Sequence, residues 1–159
     1  MVGEAVNLRF IPMREDISTP ALGDILAERI MQCGGAGAVT DGGIRDAATV
    51  SEVGLPVFAA GPAALASLTA HTPIDFGLPV GCGGVAVIPG DIIVGDGDGV
   101  VVIPKDLADE VARDGVEQEG IEVFIKLQVE KGRSTIGLYP PDDTVRAEYA
   151  DWLAAGKPC

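Results

Sequence analysis

Residues able to do chemistry gather in one octapeptide, Val39-Thr40-Asp41-Gly42-Gly43-Ile44-Arg45-Asp46, where an apolar run breaks into two glycines and delivers an arginine beside an aspartate. Such a pair offers a planar cation that grips a carboxylate or enolate oxygen, and a hard oxygen ligand for a divalent metal. Glycine tolerates positive φ, so Gly42-Gly43 permits a tight turn or a close approach of backbone to a ligand. An ordinary surface ion pair after a turn fits the same eight residues. Asp24 also has two readings: the N-cap of a helix, or a group aimed at a site beside that helix N-terminus, where free N–H groups favour an anion. His71, the single histidine, sits in a His-Thr-Pro turn and suits structural hydrogen bonding better than catalysis. Cys82, between Gly81 and Gly83, lines a pocket or fills a small buried apolar space. Asp96 and Asp98 lack the later acidic ligands of an EF-hand and read as hairpin chemistry.

The elements that must position these groups follow from periodicity. Residues 36–39 read as the end of a buried strand, with Arg45 and Asp46 projecting from the loop beyond. Leu22, Ile25, Leu26, Arg29 and Ile30 fall at helical spacing before Gly34-Gly35, predicting an amphipathic helix over 24–33. Strands are expected at 6–11 and 55–60, a helical turn at 47–52, and a helix over the Ala- and Leu-rich stretch 62–69. Short β-branched runs at 85–88, 91–94 and 100–103 read as packed strands joined by glycine turns. Asp106 is placed to cap a helix that Gly115 and Gly120 would break in two and Gly132 would end. A last helix is expected at 143–155, with Val145, Tyr149, Trp152 and Leu153 on one face.

With 159 residues, 47% of them hydrophobic, the chain is expected to form one domain with a real core. A net charge of −13 would repel a phosphate backbone or an anionic membrane, so neither nucleic acid nor membrane is an expected partner. The sequence has neither the pattern of a signal peptide nor an apolar run near the roughly 20 residues of a membrane helix, and a soluble, cytoplasmic protein is expected. Cys33, Cys82 and Cys159 are too far apart for a zinc motif and odd in number, so they read as free thiols. No internal sequence repeat is evident, and Gly81-Cys82-Gly83-Gly84 leads into a strand, the wrong context for a phosphate-binding loop.

Asp24, twenty intervening residues, then Arg45-Asp46 resembles the D-x20-R-D signature of the RraA-like proteins, which include the class II 4-hydroxy-4-methyl-2-oxoglutarate aldolases. The flanks agree: Gly23-Asp24-Ile25-Leu26-Ala27, Leu55-Pro56-Val57-Phe58-Ala59, Pro89-Gly90-Asp91, the run from Gly95 to Pro104, and Gly137-Leu138-Tyr139-Pro140-Pro141. The resemblance covers most of the chain. It implies an α/β fold, a β/β/α sandwich of the swivelling-domain type, assembled as trimers or hexamers with sites between subunits. It implies cleavage of a C–C bond next to a pyruvyl group in a small 2-oxo acid, by retro-aldol reaction or by decarboxylation of oxaloacetate. Asp46 would hold Mg²⁺ or Mn²⁺ directly and Asp24 through water, while Arg45 would bind the substrate carbonyl and the enolate. Backbone N–H groups of Ile25 and Leu26 would receive the substrate carboxylate. An acid from the C-terminal helix is expected to bridge subunits, with Glu122 nearest by spacing.

Two departures from the family pattern stand out. Thr49 occupies a position where aldolase members often carry an acid, with Glu52 one turn further. Only residues 17–22 join Arg14-Glu15-Asp16 to Gly23-Asp24, where longer relatives place several tens of residues, so the sandwich is expected to be one strand short. The resemblance therefore leaves two further functional readings: a non-catalytic regulator that binds a ribonuclease, and a shortened, inactive homologue. A phosphohistidine carrier, suggested by fold type alone, ranks last.

Overall fold

The computed structural model describes residues 8–66, 71–72 and 75–157. It divides into two compact units, Met1–Lys105 and Asp106–Cys159.

In the first unit the chain alternates between two parallel sheets. Strand β1 (Leu8–Phe10) lies in one and β2 (Pro20–Leu22) in the other, and helix α1 (Asp24–Gln32) follows; β3 (Gly37–Val39), β4 (Gly43–Ile44) and α2 (Ala47–Val53) repeat the sequence of elements, and β5 (Val57–Phe58) and β6 (Gly61–Pro62) begin it a third time. One sheet has the order β1-β3-β5 and the other β2-β4-β6. Arg9 pairs with Ala38 and Ala38 with Val57 in the first, while Pro20 pairs with Gly43 and Gly43 with Gly61 in the second. The topology thus repeats although the sequence does not, because backbone pairing asks only for short apolar runs of the right length. Strand β3 is buried along its whole length, and β4 is central in its sheet.

Helix α1 ends where Gly34 turns to φ 77° and the N–H groups of Gly34 and Gly35 donate to the carbonyls of Met31 and Ile30, satisfying otherwise orphaned helix acceptors. Leu22, Ala27, Ala38, Val50 and Leu55 form the core shared by the two helices and the strands. Two antiparallel hairpins complete the unit: β7 (Val80–Cys82) with β8 (Val85–Val87), and β9 (Ile92–Gly95) with β10 (Val100–Ile103). They bury Cys82 and Val87 with Val39, backed by Phe10, Phe58, Val100 and Val102. The turn Asp96-Gly97-Asp98-Gly99 is hairpin chemistry as expected, closed by the Asp96 N–H on the Gly99 carbonyl at 3.0 Å and by the Asp98 N–H on Asp96 Oδ1 at 2.9 Å.

The stretch expected to be helical over 62–69 begins instead as a strand: Pro62 pairs with Ile44, and the Ala63 N–H donates to the Ile44 carbonyl at 2.7 Å. Residues 67–69 of that stretch lie outside the described residues, as does Cys159. Proline is admissible there because β6 is an edge strand.

In the second unit a 3-10 turn, Lys105–Leu107, leads into α3 (Ala108–Glu130), and α4 (Asp143–Ala154) follows. Asp106 lies in the turn, and the cap position belongs to Leu107, so the expected Asp106 cap is not made. The expected break in α3 does not occur either. A Cβ on Gly115 would meet nothing within 4 Å beyond its own helix backbone, whereas a Cβ on Gly120 would stand 2.2 Å from the Tyr149 hydroxyl oxygen. Gly120 is there to let α4 approach. Ile121, Phe124, Ile125, Leu138 and Val145 form the core between the two helices, and the Phe124 ring centroid lies 5.9 Å from Tyr149 and 5.6 Å from Trp152. Asp142 caps α4 by accepting from the Val145 N–H at 2.9 Å.

Candidate functional site

The octapeptide separates into a structural half and a chemical half. Thr40 is buried, its hydroxyl donates to the Ile11 carbonyl at 2.7 Å, and it accepts from the Gly42 N–H at 3.0 Å. Asp41 accepts from the Met13 N–H at 2.6 Å and the Gly83 N–H at 3.3 Å, so both of its oxygens stitch loops together. Neither Gly42 nor Gly43 uses a positive φ. Their requirement is steric: added Cβ atoms would stand 2.5 Å from Met13 Cβ and 2.6 Å from Ala63 Cβ, respectively. The close approach is to protein rather than ligand.

Arg45 and Asp46 follow β4 in the bend before α2, both partly exposed, with Arg45 Nε donating to Asp46 Oδ2 at 3.0 Å. The Arg45 N–H donates to the Leu22 carbonyl at 2.9 Å, which carries the β2–β4 pairing up to the residue before Gly23. Asp46 occupies the N-cap position of α2 but makes no side-chain cap, and its backbone is left-handed, φ 56° and ψ 37°. An aspartate at an N-cap ordinarily has extended backbone and spends its carboxylate on the helix N–H groups. Here the carboxylate turns to Arg45 instead.

Helix α1 brings the other arm. Its N-cap is Gly23, which has no side chain to contribute, and Asp24 is the first helical residue, so of the two readings of Asp24 the N-cap is not made. Its Oδ1 accepts from the Ile25 N–H at 2.8 Å. One of the two backbone donors expected to receive a substrate carboxylate is therefore engaged by Asp24 itself. Gly23 links the arms: a Cβ there would lie 2.9 Å from Asp46 Oδ2 and 3.6 Å from Arg45 Nε. Sequence reasoning assigns no role to Gly23; its one signal is its place between buried Leu22 and Asp24. Glu122 belongs to the second unit, on α3, where it accepts from Gln118 Nε2 at 2.7 Å. Thr49 and Glu52 are both exposed on α2.

The chemistry of the donor set fits Mg²⁺ or Mn²⁺. These ions take hard carboxylate oxygens, and Mg²⁺ typically keeps several waters with only one or two protein carboxylates. Among the described residues no group of three or more His, Cys, Asp or Glu side chains is gathered to hold a metal, so Asp46 and Asp24 would share the ion with water and substrate.

An open cleft of about 660 Å³ lies elsewhere in the first unit, lined by Phe10, Val39, Phe58, Cys82 and Val102 and by the acids Glu15, Asp41, Asp96 and Asp98. Among the described residues none that lines it is cationic, so this lining suits a carboxylate substrate poorly. Burial, with a smaller contribution from the Asp41 carboxylate, pushes the Cys82 thiol up, and such a thiol is a poor nucleophile. His71 Nε2 donates to the Asp16 Oδ2 carboxylate oxygen at 3.1 Å, in keeping with the structural role expected of it. No helix among the described residues is long and apolar enough to cross a membrane.

Comparison with known proteins agrees with the signature. The family model for RraA-like proteins, Aldolase/RraA, matches residues 9–102. A protein of Halalkalibacterium halodurans named "Putative 4-hydroxy-4-methyl-2-oxoglutarate aldolase" is 39% identical over 95 residues, 60% of this chain and 45% of that protein. The chain thus spans about half the length of that relative. The crystal structure of Streptomyces coelicolor RraAS2, described as an unusual member of the RNase ES inhibitor RraA family, superposes with a TM-score of 0.70 at 34% identity, over 76% of this chain and 62% of that one. An uncharacterized protein from Pseudomonas syringae pv. tomato superposes with a TM-score of 0.73 at 28% identity, over 82% and 66%. The mixed α/β architecture, with parallel and antiparallel pairing and no closed barrel, is that of these neighbours. By the match of its family model to more than half of its residues, the chain belongs to the RraA-like family.

Proposed function

We propose that this protein is a divalent-metal-dependent lyase that cleaves a C–C bond beside a pyruvyl group, by retro-aldol cleavage of a 4-hydroxy-4-methyl-2-oxoglutarate-type acid or by decarboxylation of oxaloacetate. The observation that carries the reading is Asp46: a left-handed aspartate at a helix start that forgoes its cap and faces an arginine. Strain of this kind, of order 1–3 kcal/mol, concentrates at functional sites. The named relative from Halalkalibacterium halodurans supports the same substrate class.

Asp46 and Asp24 would hold the ion, which supplies positive charge opposite the oxygen that becomes the enolate. Arg45 places its guanidinium beside that oxygen and favours the transition state, in which negative charge is developing, and the enolate that follows over the neutral carbonyl. The N-terminus of α1 offers partial positive charge to the substrate carboxylate, through the Leu26 N–H rather than that of Ile25, which Asp24 engages. A Schiff-base route would need a desolvated lysine, and Lys105, Lys126, Lys131 and Lys157 are all exposed. The test is pyruvate release from oxaloacetate or 4-hydroxy-4-methyl-2-oxoglutarate with Mg²⁺ or Mn²⁺. Turnover should vanish with EDTA and in Asp46→Ala; turnover indifferent to both would sink the proposal.

The likeness to RraAS2 favours a second reading, a regulator that binds a ribonuclease without catalysis. It predicts binding of a ribonuclease that is unaffected by EDTA, and no pyruvate release. In either reading a homotrimer or hexamer is the proposed assembly, checked by light scattering.

A further inference from the structure

We infer that Gly23 is a positioning residue, whose missing side chain sets where the Asp46 carboxylate and the Arg45 guanidinium stand relative to the start of α1. A Cβ at position 23 would come within 2.9 Å of Asp46 Oδ2, closer than side-chain carbons approach in folded proteins, and within 3.6–3.7 Å of Arg45 Nε and Cβ. The backbone around it has little room to yield. Leu22 is fully buried and its carbonyl holds the Arg45 N–H at 2.9 Å. The Gly23 carbonyl accepts from the Ala27 N–H at 3.0 Å as the first bond of α1. Asp46 is fixed from behind as the start of α2, its carbonyl accepting from the Val50 N–H at 2.9 Å. What yields to an added methyl is the free end of the Asp46 side chain, and the carboxylate leaves Arg45.

The same contact ties together the two arms of the D-x20-R-D pattern. The residue before Asp24 lies so near the residue after Arg45 that one added methyl would meet it, so the spacing between α1 and the Arg45-Asp46 bend leaves no room for a side chain at position 23. Gly23 need not adopt left-handed backbone for this, since its φ is −129°. The glycine is required for space alone. The functional consequence rests on Asp46 being the metal ligand proposed above, whereas the steric consequence does not.

The full chain with Gly23→Ala tests both, with Gly61→Ala as control, because nothing lies within 4 Å of a Cβ at Gly61. The Arg45 Nε–H resonance in ¹H–¹⁵N spectra reports the pair with Asp46. In the parent it should be protected and shifted relative to a free guanidinium; Gly61→Ala should keep that signature, and Gly23→Ala should lose it as Asp46→Ala does, with the melting temperature moving by no more than about 3 °C. Mn²⁺ affinity, read by electron paramagnetic resonance, should fall about tenfold or more in Gly23→Ala. An Arg45 signature unchanged by Gly23→Ala, or absent from the parent, overturns the inference. If the signature behaves as stated but the parent neither binds Mn²⁺ nor releases pyruvate, the lyase reading fails and the positioning role stands.

Discussion

Asp46 begins a helix without serving it, and this sets apart its contributions to folding and to chemistry. Asp46→Gly should abolish pyruvate release yet leave urea stability within about 1 kcal/mol of the parent. Glycine adopts φ 56° freely, which relieves about 1–2 kcal/mol of strain, its greater chain entropy takes back about 0.5–1 kcal/mol, and the partly exposed pair with Arg45 is worth only about 0.2–1 kcal/mol. A large loss of stability would show that the carboxylate is structural. Arg45→Lys keeps the charge but not the planar fork, and kcat/KM should drop by about tenfold or more while the melting temperature stays put. At Asp16 the sign runs the other way. Hydrogen bonds from the Ser18 hydroxyl, then from His71, hold its carboxyl well below its ordinary 3.8. Because the folded form binds its proton less readily than the unfolded one, its contribution is fully present above pH ~4 and is lost as pH falls further. Thermal melts from pH 5 to 2 should therefore decline more steeply for the parent than for Asp16→Asn.

At the scale of elements, the two glycines of α3 make a matched pair. Gly115→Ala fills open space in a helix interior and should stabilise the protein by about 0.5–1 kcal/mol. Gly120→Ala drives a methyl into the Tyr149 hydroxyl and should destabilise it by about 1–3 kcal/mol, both read from urea unfolding. Sequence alone gives the two glycines one meaning, helix breakers, because propensity is local and the approach of α4 is not. The same limit explains strands β2 and β6. Pro20–Leu22 and Gly61–Pro62 are too short, and too rich in proline and glycine, for any periodicity to register; they become strands because β4 lies between them. Helices α1 and α4 were legible from spacing, α2 only as a helical turn, and β8, β9 and β10 from their β-branched runs. Of the proposed site, the order of residues supplies the candidates Asp24, Arg45 and Asp46 and nothing of their geometry. The left-handed backbone of Asp46, the use of Asp24 on its own helix, and Gly23 as the point of contact all depend on how β2 lies beside β4.

At the scale of the molecule, the first unit carries both the matched region, residues 9–102, and the three candidate site residues. If Asp46 and Asp24 bind Mg²⁺ only in the folded state, saturating Mg²⁺ must stabilise the chain. An excess of a hundredfold over Kd is worth about 2.7 kcal/mol, or roughly 5–10 °C in melting temperature for a protein of this size. Asp46→Ala should abolish that shift, and a parent that shows none would favour the regulator or the inactive homologue. The alternation between sheets bears on how such a chain can change length. Three crossings connect the sheets: residues 11–19 from β1 to β2, Thr40-Asp41-Gly42 from β3 to β4, and Ala59-Ala60 from β5 to β6. The last two are minimal, and the middle one runs into the Arg45-Asp46 bend. The first joins two edge strands, and lengthening a loop costs only about 0.6 kcal/mol per doubling. Evolution can therefore add or delete tens of residues there and leave the middle crossing unstretched. That makes the first crossing the family's natural place to vary the wall around a fixed reactive pair, and the preferred point at which to graft a new one.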